Sequence, residues 1–142
     1  MESKVVWKEG MSFDVHLDGH VFTIDADEAV GGKNQGPKPK GLTLSSLAGC
    51  TGMDVISILT KMRIPVQTLE VTARAELTEE HPKRFKKIIT RYEVTGPDDI
   101  SVERIQRAVV LSEERYCGVS ATLKPSVEML SEIVVNGVQV EA

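Results

Sequence analysis

Two cysteines are the residues best placed to do chemistry. Cys50 sits in Gly49-Cys50-Thr51-Gly52 and Cys117 in Glu114-Arg115-Tyr116-Cys117-Gly118. A thiol reacts as its thiolate, so each would need a nearby cation or hydrogen-bond donor to become a nucleophile. Without one, a free cysteine is a small buried hydrophobe, its commonest use. Three features favour chemistry. Cys50 falls on a polar stripe of the helix that carries it. Gly49 and Gly52 flank it, at a cost of roughly 1 kcal/mol each in a helix interior, and admit a close neighbour. Cys117 stands just ahead of a short helical turn, where amide donors stabilise a thiolate.

Other candidates are weaker. His16, His20 and His81 show no ligand spacing, so no metal site is expected. Gly31-Gly32 with Gly36 lacks the Gly-Lys-Ser/Thr ending of a phosphate loop. Lys83-Arg84-Phe85-Lys86-Lys87, with Arg91, offers a basic strand to nucleic acid. On a chain of net charge −4 the simpler reading is a solvated strand edge kept soluble by lysines. Trp7 and Tyr116 read as core or pocket wall rather than stacking platforms.

The elements that must position the thiols follow from periodicity. The first 25 residues read as strands: Val5 to Trp7, a break at Glu9-Gly10, then Phe13, Val15 and Leu17 alternating with polar residues. Asp18-Gly19 predicts a hairpin turn into Val21–Ile24, because such a turn needs positive φ. Residues 25 to 41 are rich in glycine, proline and charge, and a loop so long in a compact domain is usually functional or mobile. Residues 42–62 read as the longest helix. Leu44, Leu47, Ala48, Val55, Ile58, Leu59 and Met62 form its apolar face, and Thr43, Ser46, Cys50, Asp54, Ser57 and Lys61 its polar stripe. A helix this apolar should be buried, by its own sheet or by a second subunit. Ile64-Pro65 ends it. Residues 68–77 and 85–95 read as antiparallel partners. Ser101 caps a helix of about 14 residues whose inner face holds Val102, Ile105, Val109 and Ser112. Gly118 breaks it, a short turn follows, and residues 127–140 read as strand with a tight turn at Asn136-Gly137. The order suggests an α+β domain with a long helix on a mostly antiparallel sheet.

Length and composition agree. At 142 residues and 15.6 kDa the chain fits one domain, residues 1–142. Aromatics are only 4%, so Val, Ile, Leu, Ala and Met must build the core. A pI near 5.4 argues against nucleic acid or an anionic membrane as partner. No uninterrupted apolar run reaches the ~18 residues of a membrane span, and no signal-peptide core opens the chain. Two cysteines are too few for a disulfide scaffold. The expected location is cytoplasmic.

Read as an ordered set, these residues resemble the OsmC/organic hydroperoxide resistance family. The resemblance rests on Gly36-Pro37-Lys38-Pro39, on Leu42-Thr43-Leu44-Ser45-Ser46-Leu47-Ala48-Gly49-Cys50-Thr51-Gly52-Met53-Asp54-Val55, on His81-Pro82-Lys83-Arg84-Phe85, and on Ala108 through Ser120. It implies an OsmC-like fold in an intertwined homodimer with the long helices at its centre. It also implies a thiol peroxidase of the stress-response, antioxidant kind, with no cofactor and no metal. Cys50 would be the peroxidatic thiol, attacking an organic hydroperoxide and becoming a sulfenic acid. Cys117 would be the resolving thiol, closing a disulfide that a dithiol reductant reopens. The chain departs from the family at one point. Its peroxidase branches pair an N-terminal-region arginine with a glutamate ten positions before the cysteine; here that position is Lys40, and no arginine precedes Arg63. Lys33, Lys38, Lys40 and Arg115 are the candidate replacement cations. The alternative is an OsmC-like dimer that binds a small ligand or acts as an accessory protein, with little peroxide chemistry.

Overall fold

The computed structural model describes residues 1–142, arranged as two compact units, Met1–Thr43 and Leu44–Ala142. In the first unit, β1 (Ser3–Glu9), β2 (Ser12–Leu17) and β3 (His20–Ile24) form an antiparallel meander in that order. Asp18 and Gly19, at φ 51° and 79°, make the tight turn that their residue types predict. Trp7 departs from expectation. It is 64% exposed, and its indole N–H donates to the Gly10 carbonyl at 2.9 Å, so it is not core.

The following loop is held by one buried carboxylate. Asp25 accepts the backbone N–H groups of Ala26, Lys33 and Gln35 at 2.7, 3.2 and 3.1 Å. A short 3-10 turn, Glu28–Val30, lies within it. Two glycines are obligatory for this packing: a Cβ on Gly32 would stand 1.9 Å from the Ala26 carbonyl oxygen, and one on Gly36 would stand 2.1 Å from that of Thr23. Lys38 pairs with Asp27 at 2.7 Å and Lys33 with Glu9 at 3.9 Å.

Helix α1 (Pro39–Lys61) starts three residues earlier than its apolar pattern suggests, because Pro39 is tolerated in a first turn. It stops before Ile64-Pro65, where Arg63 takes positive φ (56°) and the Ile64 N–H closes onto the Leu59 carbonyl. In the second unit, β4 (Thr68–Leu77), β5 (Phe85–Thr95), β6 (Glu128–Val135) and β7 (Val138–Val140) form one sheet in that order. The outer pairs are antiparallel, whereas β5 and β6 run parallel. That pairing needs a crossover, supplied by α2 (Val102–Leu111), one π-helical turn (Ser112–Tyr116) and α3 (Gly118–Leu123). Ser101 caps α2 by accepting the Arg104 N–H at 3.3 Å. The basic run therefore lies at and before the start of an interior strand rather than on a sheet edge, and further along it Arg91 is paired with Glu93 and Glu132.

The core follows from these faces. Val55 and Leu59 of α1 meet Ile105, Ala108 and Val109 of α2 over Tyr92, Val94, Ile133 and Val135 of the sheet. A smaller cluster joins Leu47, Ile88, Cys117 and Val127. Leu47, Thr51, Val55 and Leu59, four residues apart, are the buried line of α1. Its opposite side is open, with Met53 74% exposed and Ile56 39%. By length and composition α1 reaches the size of a membrane span, which counting uninterrupted apolar runs misses; its inner face is packed into this core.

Candidate thiol site

Three elements converge on the cysteines. α1 presents Cys50, Thr51 and Asp54 along neighbouring lines of one helix. The π-helical turn delivers Cys117 by closing its N–H onto the Ser112 carbonyl at 2.8 Å. Cys117 then leaves the helix in an extended conformation (φ −75°, ψ 103°) and caps α3. The two sulfurs and a carboxylate oxygen of Asp54 lie within 4.8 Å of one another. Both thiols are free, Cys50 half-buried and Cys117 buried. Backbone donors reach both: the Ser120 N–H donates to the Cys117 sulfur at 3.3 Å, and the Val119 N–H to Cys50. The expectation of amide donors ahead of a short helix is met, and one serves the other cysteine.

The balance at Cys50 still favours the thiol. Burial pushes it above its ordinary value, and the hydrogen bond with Cys117 adds to this. The Val119 N–H pulls the other way, while the charges of Cys117 and Asp54 push it up further. Arg115, beside Cys117 in sequence, is exposed.

Behind the thiols runs a line of buried hydroxyls. The Ser112 hydroxyl donates to Asp54 Oδ2 at 3.0 Å. Thr51 Oγ1 lies 2.8 Å from Ser112 Oγ and 2.8 Å from the Tyr92 hydroxyl. Tyr92 donates to Glu113 Oε1 at 3.0 Å, and Ser131 hydrogen-bonds the same oxygen. Burial, chiefly, pushes the Tyr92 phenol far above its usual range. Sequence reasoning placed Ser112 on the inner face of its helix but gave no role to Thr51, Tyr92, Glu113 or Ser131. The available signal was a threonine amid the apolar line Leu47, Val55 and Leu59. A buried hydroxyl needs a partner, so it points to a second polar group in the core.

Asp54 also walls a cavity of about 550 Å³, with Ser57, Ile58, Lys61, Met62, Leu111 and Tyr116. Tyr116 is thus pocket wall, as expected, although 62% exposed.

The α+β fold thus sets two free thiols and a carboxylate together at the junction of a long helix and a helical crossover. The comparisons then name the family. The profile described as OsmC-like protein matches residues 32–131, and the chain belongs to that family. It is 35% identical over 130 residues to Protein YhfA of Escherichia coli K12, covering 91% of this chain and 93% of that protein. A crystal structure of a hypothetical protein from Aquifex aeolicus matches with TM-score 0.79 and 28% identity, covering 95% and 96% of the two chains. The organic hydroperoxide resistance protein OsmC of Legionella pneumophila has the same fold, with TM-score 0.71 at 18% identity over 94% and 96% of the chains.

Proposed function

We propose that the protein is a cysteine-based peroxidase for organic hydroperoxides. One observation carries the reading: two free thiols and a carboxylate stand within 4.8 Å of one another, with a backbone N–H directed at each sulfur. The Cys50 thiolate attacks the O–O bond, leaving a Cys50 sulfenic acid and an alkoxide that takes a proton to become the alcohol. The Cys117 thiol then attacks the Cys50 sulfur, a disulfide forms, and the hydroxyl leaves with the Cys117 proton as water. A dithiol reductant supplies two electrons and two protons to restore both thiols, which suits a reducing, cytoplasmic setting. The backbone donors are what this site offers where the family has its arginine–glutamate pair, and they offset only part of the burial that holds Cys50 as a thiol.

The family match crosses the boundary at Thr43–Leu44, which supports reading residues 1–142 as one OsmC-like domain. The open apolar side of α1 supports a homodimer. The test is titration with sub-stoichiometric cumene hydroperoxide. Loss of two titratable thiols per chain, with one intrachain disulfide found by mass spectrometry, is the expected result. Retention of both thiols through excess hydroperoxide overturns the reading. The roughly 550 Å³ cavity beside Asp54 then favours the second reading, a small-ligand-binding or accessory protein.

A further inference from the structure

The buried hydroxyl line raises a question of proton count. It has four oxygen–oxygen links: Asp54 to Ser112, Ser112 to Thr51, Thr51 to Tyr92, and Tyr92 to Glu113. Its three hydroxyls carry three protons. With both end carboxylates ionised, Ser112 donates to Asp54 and Tyr92 to Glu113. Thr51 then has one proton for two links. One pair of buried oxygens 2.8 Å apart would face each other with no proton between them, a costly arrangement away from water. A fourth proton on either end carboxyl fills every link. If it sits on Asp54, each hydroxyl donates toward Glu113; if on Glu113, each donates toward Asp54. The two states differ only by a concerted shift of four protons along existing hydrogen bonds.

We infer that the Ser112–Thr51–Tyr92 chain holds one proton in common between Asp54 and Glu113, and so links the Cys50–Cys117 pair to a second carboxyl through buried hydroxyls. The inference rests on the reading of Cys50 as the reacting thiol and adds the route of its proton. When Cys50 ionises, its proton passes to Asp54, Asp54 hands one to Ser112, and Glu113 receives one from Tyr92. The charge that appears on sulfur is matched by one removed from Glu113, and Asp54 does not stand fully ionised beside a thiolate. Tyr92 serves throughout as a neutral phenol, in keeping with the burial that opposes its ionisation. The groups facing this system are few. Cys50 and Cys117 lie beside Asp54, Lys61 and Tyr116 share its cavity, Ser131 bonds Glu113, and the Lys124 ammonium donates to the Glu113 backbone carbonyl at 2.9 Å.

The chain makes a prediction whose sign separates it from simple Coulomb effects. In Glu113→Gln the side-chain amide donates to Tyr92, all four links fill without a shared proton, and Asp54 becomes fully anionic next to Cys50. In Tyr92→Phe the chain is cut, Thr51 donates to Ser112, Ser112 donates to Asp54, and Asp54 is again anionic. Both variants should raise the pH midpoint for iodoacetamide alkylation of Cys50 by about half a unit, a roughly threefold slower reaction below the midpoint. The double variant should shift it no further than either single one. Through space alone, removing the Glu113 charge would move the midpoint down. The experiment follows the Cys50 peptide of the reduced protein by mass spectrometry across pH, with near-ultraviolet circular dichroism to confirm the native fold. A midpoint that stays or falls in Glu113→Gln overturns the inference, as do two shifts that add in the double variant. Alkylation needs no peroxide, so a chain that passes this test while ignoring cumene hydroperoxide keeps the proton link and loses only the peroxidase reading.

Discussion

Cys50 is pulled two ways, and the outcome sets its pH behaviour. Burial, Cys117 and Asp54 hold the thiol above its ordinary value, and one amide opposes them. Its reaction with hydroperoxide should therefore speed up as pH rises toward and past the ordinary thiol range, which stopped-flow rates across pH will test; a flat profile would mean a thiolate already formed at neutral pH. The same shift acts on stability. The folded chain holds this proton more tightly than the unfolded one, so the contribution is complete below the unfolded thiol value and is lost as pH rises through the folded one. Cys50→Ser should abolish peroxide consumption. Cys117→Ser should still consume one equivalent and stop at a sulfenic acid, which dimedone traps before over-oxidation. If Cys117→Ser still turns over repeatedly with the dithiol reductant at the wild-type rate, with no sulfenic acid for dimedone to trap, Cys117 is not the resolving thiol.

The elements that bring these residues together were largely legible in the sequence, and the site itself only in part. The alternation of β4 and β5, the Asp18-Gly19 and Asn136-Gly137 turns and the Ser101 cap each depend on local chemistry, which a sequence carries openly. The parallel pairing of β5 with β6 does not, because it depends on a crossover that returns from a distant part of the chain. The hydroxyl line was hidden for the same reason: Thr51, Tyr92 and Ser112 are separated in sequence and meet only through packing. α2 is the element that fixes this meeting. Ile105 at its centre is fully buried against α1 and the sheet, so Ile105→Ala should cost about 2–5 kcal/mol in urea unfolding. A cost under ~1 kcal/mol would mean that the core collapses around the gap. The 25–41 loop is organised differently, around a buried ionised carboxylate. The Ala26 N–H foremost, opposed by burial and helped by the Gln35 and Lys33 amides, holds the Asp25 carboxyl below its ordinary value. This stabilisation is present above the unfolded carboxyl range and is lost as pH falls through the lower folded value. Asp25→Asn should accordingly speed amide hydrogen exchange at Lys33 and Gln35 at neutral pH. Unchanged exchange would place the hold on the loop elsewhere.

At the scale of the whole molecule the open question is what covers α1. One side of the helix fills the core through Leu47, Thr51, Val55 and Leu59, as an amphipathic helix should. The other side is also apolar, yet Met53 and Ile56 face outward. A groove of about 570 Å³ runs between this face and β4, lined by Ala48, Gly49, Gly52, Met53, Ile56 and Val71 among others. Gly52 lets β4 close in, since a Cβ there would stand 3.3 Å from Val71 Cγ2, whereas one on Gly49 would meet nothing within 4 Å. A bare glycine on an exposed apolar helix face lets another backbone approach closely. On the proposed homodimer reading, the occupant is the same Gly49–Met53–Ile56 face of a second copy, related by a two-fold axis that would bury both Met53 side chains at once. Sedimentation equilibrium should give a species of twice the 15.6 kDa chain mass. Met53→Glu would place two carboxylates against each other at that axis, with no partner to offset their desolvation. It should shift the equilibrium to a folded monomer or weaken association at least tenfold, while Ile88 and the rest of the thiol-side core stay packed. A wild-type chain that sediments as a monomer over the whole micromolar range would sink the dimer.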